Sequence, residues 1–392
     1  MGAFRVRTIC AVTMSRSDYG IYRPVLKRIT QERGLKLQLI AGGTHLEKSF
    51  GYTLRDIEED RFPIAEKIDM KFTSDTPEGL AVSMGEIIKS LAKTYKRLRP
   101  DILLLQGDRF DMLAAASAAL PFNIPIAHMH GGELTEGMMD DAIRHALTKM
   151  SHLHFASTRA YAKRIIQMGE EPWRVIVSGA PSLDNLSAMG MLGDKELSVK
   201  YGINLSIPLI LATLHPLTGG FEKNKRGAEE FFRALENFNG QVLITYPNAD
   251  AHASAIIKLI QRFALKRRDA VICKNLGTRD YFSLMKRASV IVGNSSSGIV
   301  EAGSFGLPVV NVGSRQRGRL RGANVLDVDY DSAQIGGAIK KSLSQAFLRK
   351  ISKMRNPYGD GKASGRIVSK LKSVVLNENL LLKKFYSPNS HG

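Results

Sequence analysis

The sequence contains little cysteine. Two of its 392 residues are cysteine, Cys10 and Cys273, and both lie in apolar, strand-like stretches far apart along the chain. This pattern excludes a disulfide-rich secreted scaffold and a Cys-x-x-Cys metal site. The cysteine content therefore predicts a reducing environment, and we expect a cytoplasmic protein.

Long hydrophobic runs are also lacking. The chain has no stretch of about 18 consecutive apolar residues, the length that a membrane-spanning helix needs. The apolar segment 9–14 is short and has Arg5, Arg7 and Arg16 around it, which is not the build of a signal peptide. We interpret this segment as a first buried strand and expect no membrane span.

Acidic residues are few compared with basic ones. The chain has 37 Asp and Glu against 56 Lys and Arg, which gives a net charge of +19. Such a charge favours nucleic acid, an anionic membrane surface or a phosphorylated substrate as partner. The basic residues are spread along the chain, however, and no aromatic residues interleave with them as in proteins that bind single strands. We therefore expect no nucleic-acid partner.

Several common catalytic motifs are missing. No GxGxxG motif follows the first strand, which disfavours a nicotinamide dinucleotide. There is no GxSxG elbow and no convincing Ser-His-Asp set. His128 and His130 would project to one side of a strand, as a metal pair would, but they lack further ligands at zinc spacing. We expect neither a metal nor another cofactor.

What the sequence does contain is an alternation of short β-branched or apolar runs with amphipathic helical stretches. The first series of predicted strands covers 6–13, 35–41, 101–106, 124–129, 153–157 and 174–178, with helices near 20–32, 78–98, 110–120 and 139–150. The second series covers 208–214, 241–246, 269–273, 289–293 and 307–312. This alternation is typical of parallel sheets wound with helices. The predicted fold class is α/β, with two Rossmann-like, doubly wound domains facing across a cleft.

Domain boundaries follow from a change in this pattern. From Pro181 to Pro208 no strong strand occurs and Asn, Ser, Gly and Met accumulate. We predict an N-terminal domain at 1–183, a C-terminal domain at 184–365, and a helix and tail at 366–392 that pack back on the N-terminal domain.

A serine-rich turn follows the predicted strand 289–293. Its sequence, Gly293-Asn294-Ser295-Ser296-Ser297-Gly298, opens a helix. Hydroxyl groups, free N–H groups and the helix dipole together favour a phosphate, whereas a single serine would be enough for an ordinary N-cap. Glu301, one turn further on, either accepts hydrogen bonds from a ribose or is a solvated helix residue.

Two more polar turns come directly after predicted strands. Arg16, in Ser15-Arg16-Ser17-Asp18, offers a planar fork for phosphate oxygens, with a solvated turn as the alternative. His215 ends the first strand of the second series and either donates to a diphosphate or is structural. Ligands of open α/β sheets collect at the carboxyl ends of the strands, where both turns are predicted to lie.

Carboxylates gather at the ends of neighbouring elements. Asp108 ends one predicted strand, Glu133 ends another, and Asp140 begins the helix that carries Arg144. Asp108 could instead be an N-cap, and Asp140 with Arg144 could be a surface ion pair, which contributes only about 0.3–0.5 kcal/mol. Glu133, in a glycine-flanked turn, is the hardest of these residues to explain structurally.

Five segments resemble the UDP-N-acetylglucosamine 2-epimerase family. They are SRSDYG, GDR, HGGE followed by MMDDAIRHALTKMSHLHFAST, GNSSSGIVEAGSFGLPVVNVGSRQRGR, and NPYGDGKAS. The spacing of MMDDAIRH and SRQRGR resembles the hydrolysing branch of bacterial sialic and legionaminic acid pathways, which releases UDP and a free 2-epimerised sugar. The resemblance runs from residue 5 to residue 367.

The resemblance implies a GT-B-like pair of domains with a UDP-sugar in the cleft, and a homodimer or homotetramer. It implies an acidic sugar site on the N-terminal domain and a UDP site on the C-terminal domain, with the uracil held largely by backbone near 274–276. The predicted catalytic groups are Asp108, Glu133, Asp140, Arg144 and His215. The groups predicted to bind the UDP-sugar are Ser15, Arg16, Asp18, Arg109, His215, Lys274, Asn275, Ser295, Ser296, Ser297, Glu301, Arg315 and Arg319.

The chemistry of this reaction fits carboxylates beside an anion site. The C2 hydrogen of the sugar becomes acidic only as UDP leaves C1, and the elimination product is a 2-acetamidoglucal that water then attacks. Asp108 or Glu133 would act at C2 and Asp140 in hydration. The expected activity converts UDP-N-acetylglucosamine and water into N-acetylmannosamine and UDP. UDP-N,N'-diacetylbacillosamine as substrate, a non-hydrolysing epimerase and a GT-B glycosyltransferase are the alternatives.

Overall fold

The computed structural model describes residues 6–48, 52–70, 76–135, 139–216, 221–247, 253–274 and 276–387. The chain divides into two units, Met1–Asn185 with Gly359–Gly392, and Leu186–Tyr358. We call them the N-terminal unit and the C-terminal unit. The domain boundaries that the sequence placed after residues 183 and 365 stay predictions.

The N-terminal unit is a parallel sheet with helices on both faces. Its strands are β1 (Arg7–Thr13), β2 (Leu35–Gly42), β3 (Ile64–Ile68), β4 (Ile102–Gln106), β5 (Ile126–Met129), β6 (Leu153–Ala156) and β7 (Val175–Val177). Its helices are α1 (Arg16–Gln31), α2 (Leu54–Glu59), α3 (Pro77–Leu98), α4 (Phe110–Ala119), α5 (Met139–Met150) and α6 (Arg159–Gln167). Among the described residues the strand order is β3-β2-β1-β4-β5-β6-β7, the Rossmann order with one strand added.

The side chains of β1 show why the sequence specifies a central strand. Ile9 and Ala11 belong to a hydrophobic cluster that includes residues of α1, whereas Cys10 and Val12 belong to one that includes residues of α3 and α4. A parallel strand that is buried on both faces reads as a continuous apolar run. This is the pattern by which the sequence identified the strand.

The C-terminal unit repeats the same architecture. Its strands are β8 (Leu209–Thr213), β9 (Gln241–Thr245), β10 (Val271–Cys273), β11 (Val290–Gly293), β12 (Val309–Val312) and β13 (Val325–Val328). The helices from the end of the first unit onward are α7 (Asn185–Ala188), α8 (Asp194–Tyr201), α9 (Phe221–Glu236), α10 (Ala253–Lys266), α11 (Gly277–Arg287), α12 (Ser296–Val300), α13 (Ser332–Ser342) and α14 (Gln345–Ile351). The described residues give the strand order β10-β9-β8-β11-β12-β13. The predicted α/β class with two Rossmann-like, doubly wound parallel sheets is confirmed.

The last part of the chain belongs to the N-terminal unit. Helix α15 (Ala363–Ser373) is followed by the short α16 (Glu378–Leu381). The carboxylate of Asp184 accepts hydrogen bonds from the backbone N–H groups of Ala363 at 2.9 Å and Ser364 at 2.7 Å. These bonds satisfy N–H groups in the first turn of α15 that have no partner within the helix.

The sequence analysis did not predict two of the strands, β3 and β13. Each lies at one of the two edges of its sheet. Their residues are mostly half-buried or exposed, and β3 carries Glu66 and Lys67. An edge strand does not need a continuous apolar run, so it leaves no such signal in the sequence. Within the described part of the chain, no helix has both the length and the apolar character needed to cross a bilayer.

Candidate active site

The polar side chains singled out above gather where the strand order of each sheet reverses. In the N-terminal unit this point lies between β1 and β4, and in the C-terminal unit between β8 and β11. Crevices at the carboxyl ends of such strands are the ligand-binding places of doubly wound folds. The turns that begin at Ser15 and Asp108 follow β1 and β4, and those that begin at His215 and Ser295 follow β8 and β11.

Arg144 on α5 joins several segments of the N-terminal unit. Its side chain is 1% exposed, so it is not the surface residue that one reading of the sequence allowed. It donates to the carboxylate of Asp108 and, at 3.0 Å each, to the backbone oxygen of Glu133 and the hydroxyl of Thr135. It also donates to Asp141 at 3.2 Å. One guanidinium thus fixes the turns after β4 and β5 relative to α5.

The carboxylate of Glu133 is buried and bound on one oxygen by two donors. Its Oε1 lies 2.8 Å from the hydroxyl of Ser157 and 2.8 Å from Nδ1 of His130. Glu133 is 3% exposed. The structure therefore brings Asp108, Glu133 and Arg144 into one hydrogen-bonded group.

Arg109 interacts electrostatically with three acidic residues of the N-terminal unit. Its Nε donates to Asp111 at 3.1 Å, and the charge of Asp111, followed by those of Asp18 and Asp140, raises the pKa of Arg109. Asp140 is half-buried at the start of α5. Arg109 therefore stays charged and partly offsets the repulsion between these carboxylates.

Asp18 orders the turn after β1. Its buried carboxylate accepts from the backbone N–H groups of Met14 at 3.1 Å and Ser15 at 2.9 Å, and from the hydroxyls of Thr13 and Ser15. Burial, with the nearby charge of Asp111, raises the pKa of Asp18 to about 7. These contacts are internal to the turn, so Asp18 shapes the segment that carries Ser15 and Arg16. Contact of Asp18 with a substrate stays a prediction.

Arg16 extends from the first turn of α1 and is half-buried. Its Nε lies 3.9 Å from the carboxylate of Asp56 on α2. Burial lowers the pKa of Arg16 and Asp56 opposes this effect, so the guanidinium remains a cation at neutral pH.

In the C-terminal unit, Asn294 holds His215. The carboxamide oxygen of Asn294 accepts from the backbone N–H of His215 at 2.7 Å, and its amide nitrogen donates to the backbone oxygen of His215 at 2.8 Å. Burial and the charge of Arg315 lower the pKa of His215 to about 3. The imidazole is therefore neutral at physiological pH and can act as a hydrogen-bond donor through one ring nitrogen.

The serine turn forms a small hydroxyl network. Ser295 is the N-cap of α12, and its hydroxyl lies 2.7 Å from that of Ser297, which in turn lies 2.9 Å from the hydroxyl of Tyr281. Ser296 is exposed. Because α12 spans only five residues, its dipole is small, and phosphate binding here would depend on hydroxyl and N–H groups.

The turn after β12 also contacts Asn294. Arg315 donates to the backbone oxygen of Asn294 at 3.3 Å, and Gln316 donates to that oxygen at 2.9 Å. Glu301 and Arg319 are half-buried and Lys274 is exposed. Asn275 lies outside the described residues. The structure thus brings His215, the serine turn and Arg315 together around Asn294, and their roles toward a ligand stay predictions.

The prediction that His128 and His130 project to one side of a strand is wrong. Strand β5 ends at Met129, and His130 has a left-handed backbone with φ of 65°. Nε2 of His128 lies 2.7 Å from the backbone oxygen of Gly107, whereas His130 contacts Glu133. Among the described residues, no group of three or more His, Cys, Asp or Glu side chains is placed to hold a metal ion.

Comparison with known proteins identifies the family. The model of the UDP-N-acetylglucosamine 2-epimerase family matches residues 27–372. The chain belongs to this family. It is 36% identical to UDP-N,N'-diacetylbacillosamine 2-epimerase (hydrolyzing) of Legionella pneumophila, over 96% of this chain and 99% of that protein. It is 37% identical to GDP/UDP-N,N'-diacetylbacillosamine 2-epimerase (hydrolyzing) of Campylobacter jejuni, over 87% of this chain and 88% of that protein.

A solved structure shows the same fold. The crystal structure of UDP-GlcNAc 2-epimerase from Neisseria meningitidis bound to UDP-GlcNAc superposes with a TM-score of 0.81 at 19% identity, covering 93% of this chain and 99% of that one. The predicted GT-B-like class and the predicted membership in the hydrolysing branch of the epimerases are therefore confirmed.

Sequence reasoning missed four residues that the structure places in these networks: His130, Asp141, Tyr281 and Asn294. Two of them had a signal. Asn294 stands between the last residue of β11 and the serine turn, and His130 opens the glycine turn before Glu133. The contacts of Asp141 and Tyr281 depend on helix packing that the sequence does not show.

Proposed function

We propose that this epimerase acts on UDP-N,N'-diacetylbacillosamine, releasing UDP and the free 2-epimerised 2,4-diacetamido sugar. The choice of sugar rests on two relatives that are named for that substrate. They are 36% and 37% identical to this chain over most of its length. The group formed by Asp108, Glu133 and Arg144 supports the chemistry, because carboxylates lie together at the sheet edge where doubly wound folds bind ligands.

The reaction has two stages. In the elimination, the C1–O bond breaks and its electron pair leaves on UDP, while the electrons of the C2–H bond form the C1=C2 double bond and the proton passes to a base. In the hydration, water adds a hydroxyl to C1. A proton adds to C2 on the face opposite to the one from which the first proton left, so the configuration at C2 is inverted. Acid–base groups of this kind accelerate a step by about 10²–10⁴-fold.

The two units have separate tasks in this proposal. In the C-terminal unit, we assign the UDP portion to Ser295, Ser296, Ser297, Arg315 and the neutral His215, with Lys274, Asn275, Glu301 and Arg319 contributing around it. In the N-terminal unit, Ser15 and Arg16 are candidate phosphate ligands by their residue types. Asp108, Glu133, Asp140, Arg144 and Arg109 surround the sugar. Protein groups that donate hydrogen bonds to the diphosphate stabilise the negative charge that develops on it as UDP leaves.

UDP-N-acetylglucosamine is the second candidate substrate. The description of the family names it, and the sequence reading placed it first. It would give N-acetylmannosamine and UDP by the same two stages, with a hydroxyl group in place of the 4-acetamido group and a hydroxymethyl group in place of the methyl group at C5.

A substrate panel in D₂O tests the proposal. The wild-type enzyme is incubated separately with both UDP-sugars, and NMR follows free UDP, the configuration at C2 and deuterium at C2. We expect rapid UDP release and a C2-deuterated epimer from UDP-N,N'-diacetylbacillosamine, with far slower turnover of UDP-N-acetylglucosamine. Faster turnover of UDP-N-acetylglucosamine would select the second candidate. Epimerised UDP-sugar without free UDP would contradict the hydrolytic reaction.

A further inference from the structure

The helices on one face of the C-terminal sheet end at its amino edge. Helix α9 ends at Glu236, shortly before β9 begins at Gln241, and α10 ends at Lys266, shortly before β10 begins at Val271. Helix α13 contacts α9 and follows the carboxyl end of β13, so it runs back along the sheet beside α9. The C-terminal ends of these three helices therefore lie together, at the edge opposite the carboxyl ends of β8 and β11.

Hydrogen bonds tie the ends of α9 and α10 together. Nζ of Lys266 lies 2.8 Å from the carboxylate of Glu236. Arg267 donates to the backbone oxygen of Leu235 at 2.7 Å, and its Nε lies 3.1 Å from the carboxylate of Asp269. Glu236 and Asp269 are thus already paired with cations.

Further cations at or beside this amino edge are exposed. Two helices carry most of them, α13 in its last turn and α14, which begins after a short link. No Asp or Glu occurs in the sequence from 332 to 359, and none of these cations forms an ion pair with a described residue. We call this group the basic edge, and its members are Arg268, Lys340, Lys341, Arg349, Lys350 and Lys353.

The basic edge holds more positive charge than an effect on helix dipoles explains. A cation in the last turn of a helix offsets the dipole, and α13 and α14 each carry two there. The backbone from Lys340 to Lys353 spans at most about 30 Å, because much of it is helical. The cations in that span repel one another with no carboxylate between them, so the basic edge favours a partner with many negative charges.

The side chains around the basic edge favour a lipid bilayer over a nucleic acid. Phe263 on α10 and Phe347 on α14 are only 2% and 6% exposed, so they offer no platform on which bases could stack. Leu265 on α10 is 82% exposed, more than any other large hydrophobic residue that the structure describes. An exposed apolar side chain beside cations suits the boundary between headgroups and acyl chains.

We propose that the basic edge binds the anionic phospholipid surface of a membrane, with headgroup phosphates neutralising its cations and Leu265 entering the interface. Each Lys or Arg near an anionic leaflet strengthens binding roughly fivefold, and a surface contact of this kind is reversible. The carboxyl ends of β8 and β11 lie at the other edge of the same sheet, so lipid contact leaves that crevice open. This inference goes beyond the proposed function and does not depend on which sugar is the substrate.

Sedimentation of the full chain with vesicles tests the proposal. One set of vesicles is pure phosphatidylcholine, and the other contains about one-third phosphatidylglycerol, which makes the bilayer surface negative. The basic-edge variant combines Lys340→Glu, Lys341→Glu, Arg349→Glu and Lys350→Glu. The matched control reverses two exposed lysines and two exposed arginines in the N-terminal unit, at the end of α1 and beside β2, by Lys27→Glu, Arg28→Glu, Arg33→Glu and Lys36→Glu.

We expect the wild type to bind the anionic vesicles only, and less tightly as the salt concentration rises. The basic-edge variant should lose about 100-fold or more in its partition coefficient, whereas the control, with the same net charge, should lose less than about tenfold. Leu265→Gln should weaken vesicle binding by about threefold to tenfold, because it removes an apolar side chain from the interface.

Thermal unfolding of each variant checks that it is folded. Should the four glutamates prevent folding, glutamine at the same positions of the basic edge and of the control removes the charge without reversing it. The basic-edge glutamine variant should then lose about 30-fold or more in its partition coefficient.

Four results would overturn the proposal. The first is a wild type that does not bind anionic vesicles at physiological salt, and the second is an equal loss in the basic-edge variant and the control, which would make net charge alone responsible. The third is a basic-edge variant that loses binding to a DNA duplex or single-stranded RNA but keeps its vesicle binding, which would assign this surface to nucleic acid. The fourth is unchanged vesicle binding of Leu265→Gln, since that side chain favours a bilayer over other polyanions.

Discussion

The side chain of Asn294 pairs with the backbone of His215 on both sides. Its oxygen accepts from the N–H at 2.7 Å and its nitrogen donates to the C=O at 2.8 Å, across 79 residues of sequence. The backbone oxygen of Asn294 accepts from Arg315 and Gln316. One buried residue therefore fixes the turns after β8, β11 and β12 relative to one another.

Replacing Asn294 by alanine should weaken UDP binding about tenfold. The substitution leaves the buried N–H and C=O of His215 without partners, which costs roughly 1–3 kcal/mol of stability and lets the imidazole move. Calorimetry with UDP measures the affinity. Asn324→Ala is the control, because Asn324 is 1% exposed and donates to Leu307 at 2.8 Å in the same unit. Equal UDP affinity in both variants would remove Asn294 from the nucleotide site.

Asp108→Asn should lower kcat by about 10²–10⁴-fold while UDP binding stays nearly unchanged. The variant keeps the shape of the side chain but loses the charge beside Arg144. Asp101→Asn is the matched control at the other end of β4, where Asp101 accepts from the backbone N–H and hydroxyl of Thr8 at 2.8 and 2.9 Å. Steady-state kinetics on both variants decide the point, and full activity of Asp108→Asn would exclude that residue from the chemistry.

Arg16→Ala should weaken UDP binding by about 10- to 100-fold, because a hydrogen bond to a charged group contributes roughly 1.5–3 kcal/mol. Arg28→Ala, at the exposed end of the same helix, makes the same change in charge and should leave the affinity unaltered. The measurement is a UDP titration at fixed ionic strength. A phosphate role for Arg16 fails if both variants bind UDP as tightly as the wild type.

His128 makes the N-terminal unit sensitive to acid. Burial lowers the pKa of His128 to about 4, whereas in the unfolded chain it is about 6.5. Between these two pKa values the unfolded state binds a proton at His128 and the folded state does not. The contribution of His128 to the free energy of unfolding is therefore fully present above about pH 6.5 and is lost as the pH falls toward 4. His128→Gln has no such group and keeps a donor for the backbone oxygen of Gly107.

Between pH 7 and pH 4 the wild type should lose on the order of 3 kcal/mol more unfolding free energy than His128→Gln. Urea unfolding followed by tryptophan fluorescence measures it, since the single tryptophan, Trp173, lies in the N-terminal unit. Other buried histidines keep the variant partly sensitive to acid, so the difference between the two pH curves is compared. Parallel curves would contradict the predicted linkage.

Much of the fold could be predicted from the sequence. Central strands such as β1, β4, β8 and β11 are buried on both faces, so each had to be an apolar run between helices. Edge strands β3 and β13 are only half-buried and left no such signal. The sequence also placed Asp108, Glu133 and the serine turn at strand ends, because parallel strands bring their carboxyl ends to one edge.

The partners of those residues were not predictable. The sequence suggested Asp140, one turn away on the same helix, as the ion-pair partner of Arg144. In the structure Arg144 instead donates to Asp108, which is 36 residues away. His130 was read as a strand residue beside His128, but β5 ends before it and its ring turns to Glu133.

By itself the sequence determined two doubly wound sheets and the family, because strand burial and turn chemistry are local properties that each segment carries in its own residues. Only the tertiary structure decided which carboxylate each cation neutralises, which backbone Asn294 holds, and which carboxylate the ring of His130 contacts. Those contacts join residues far apart along the chain, and their geometry depends on how helices pack against the sheet, which no local pattern specifies.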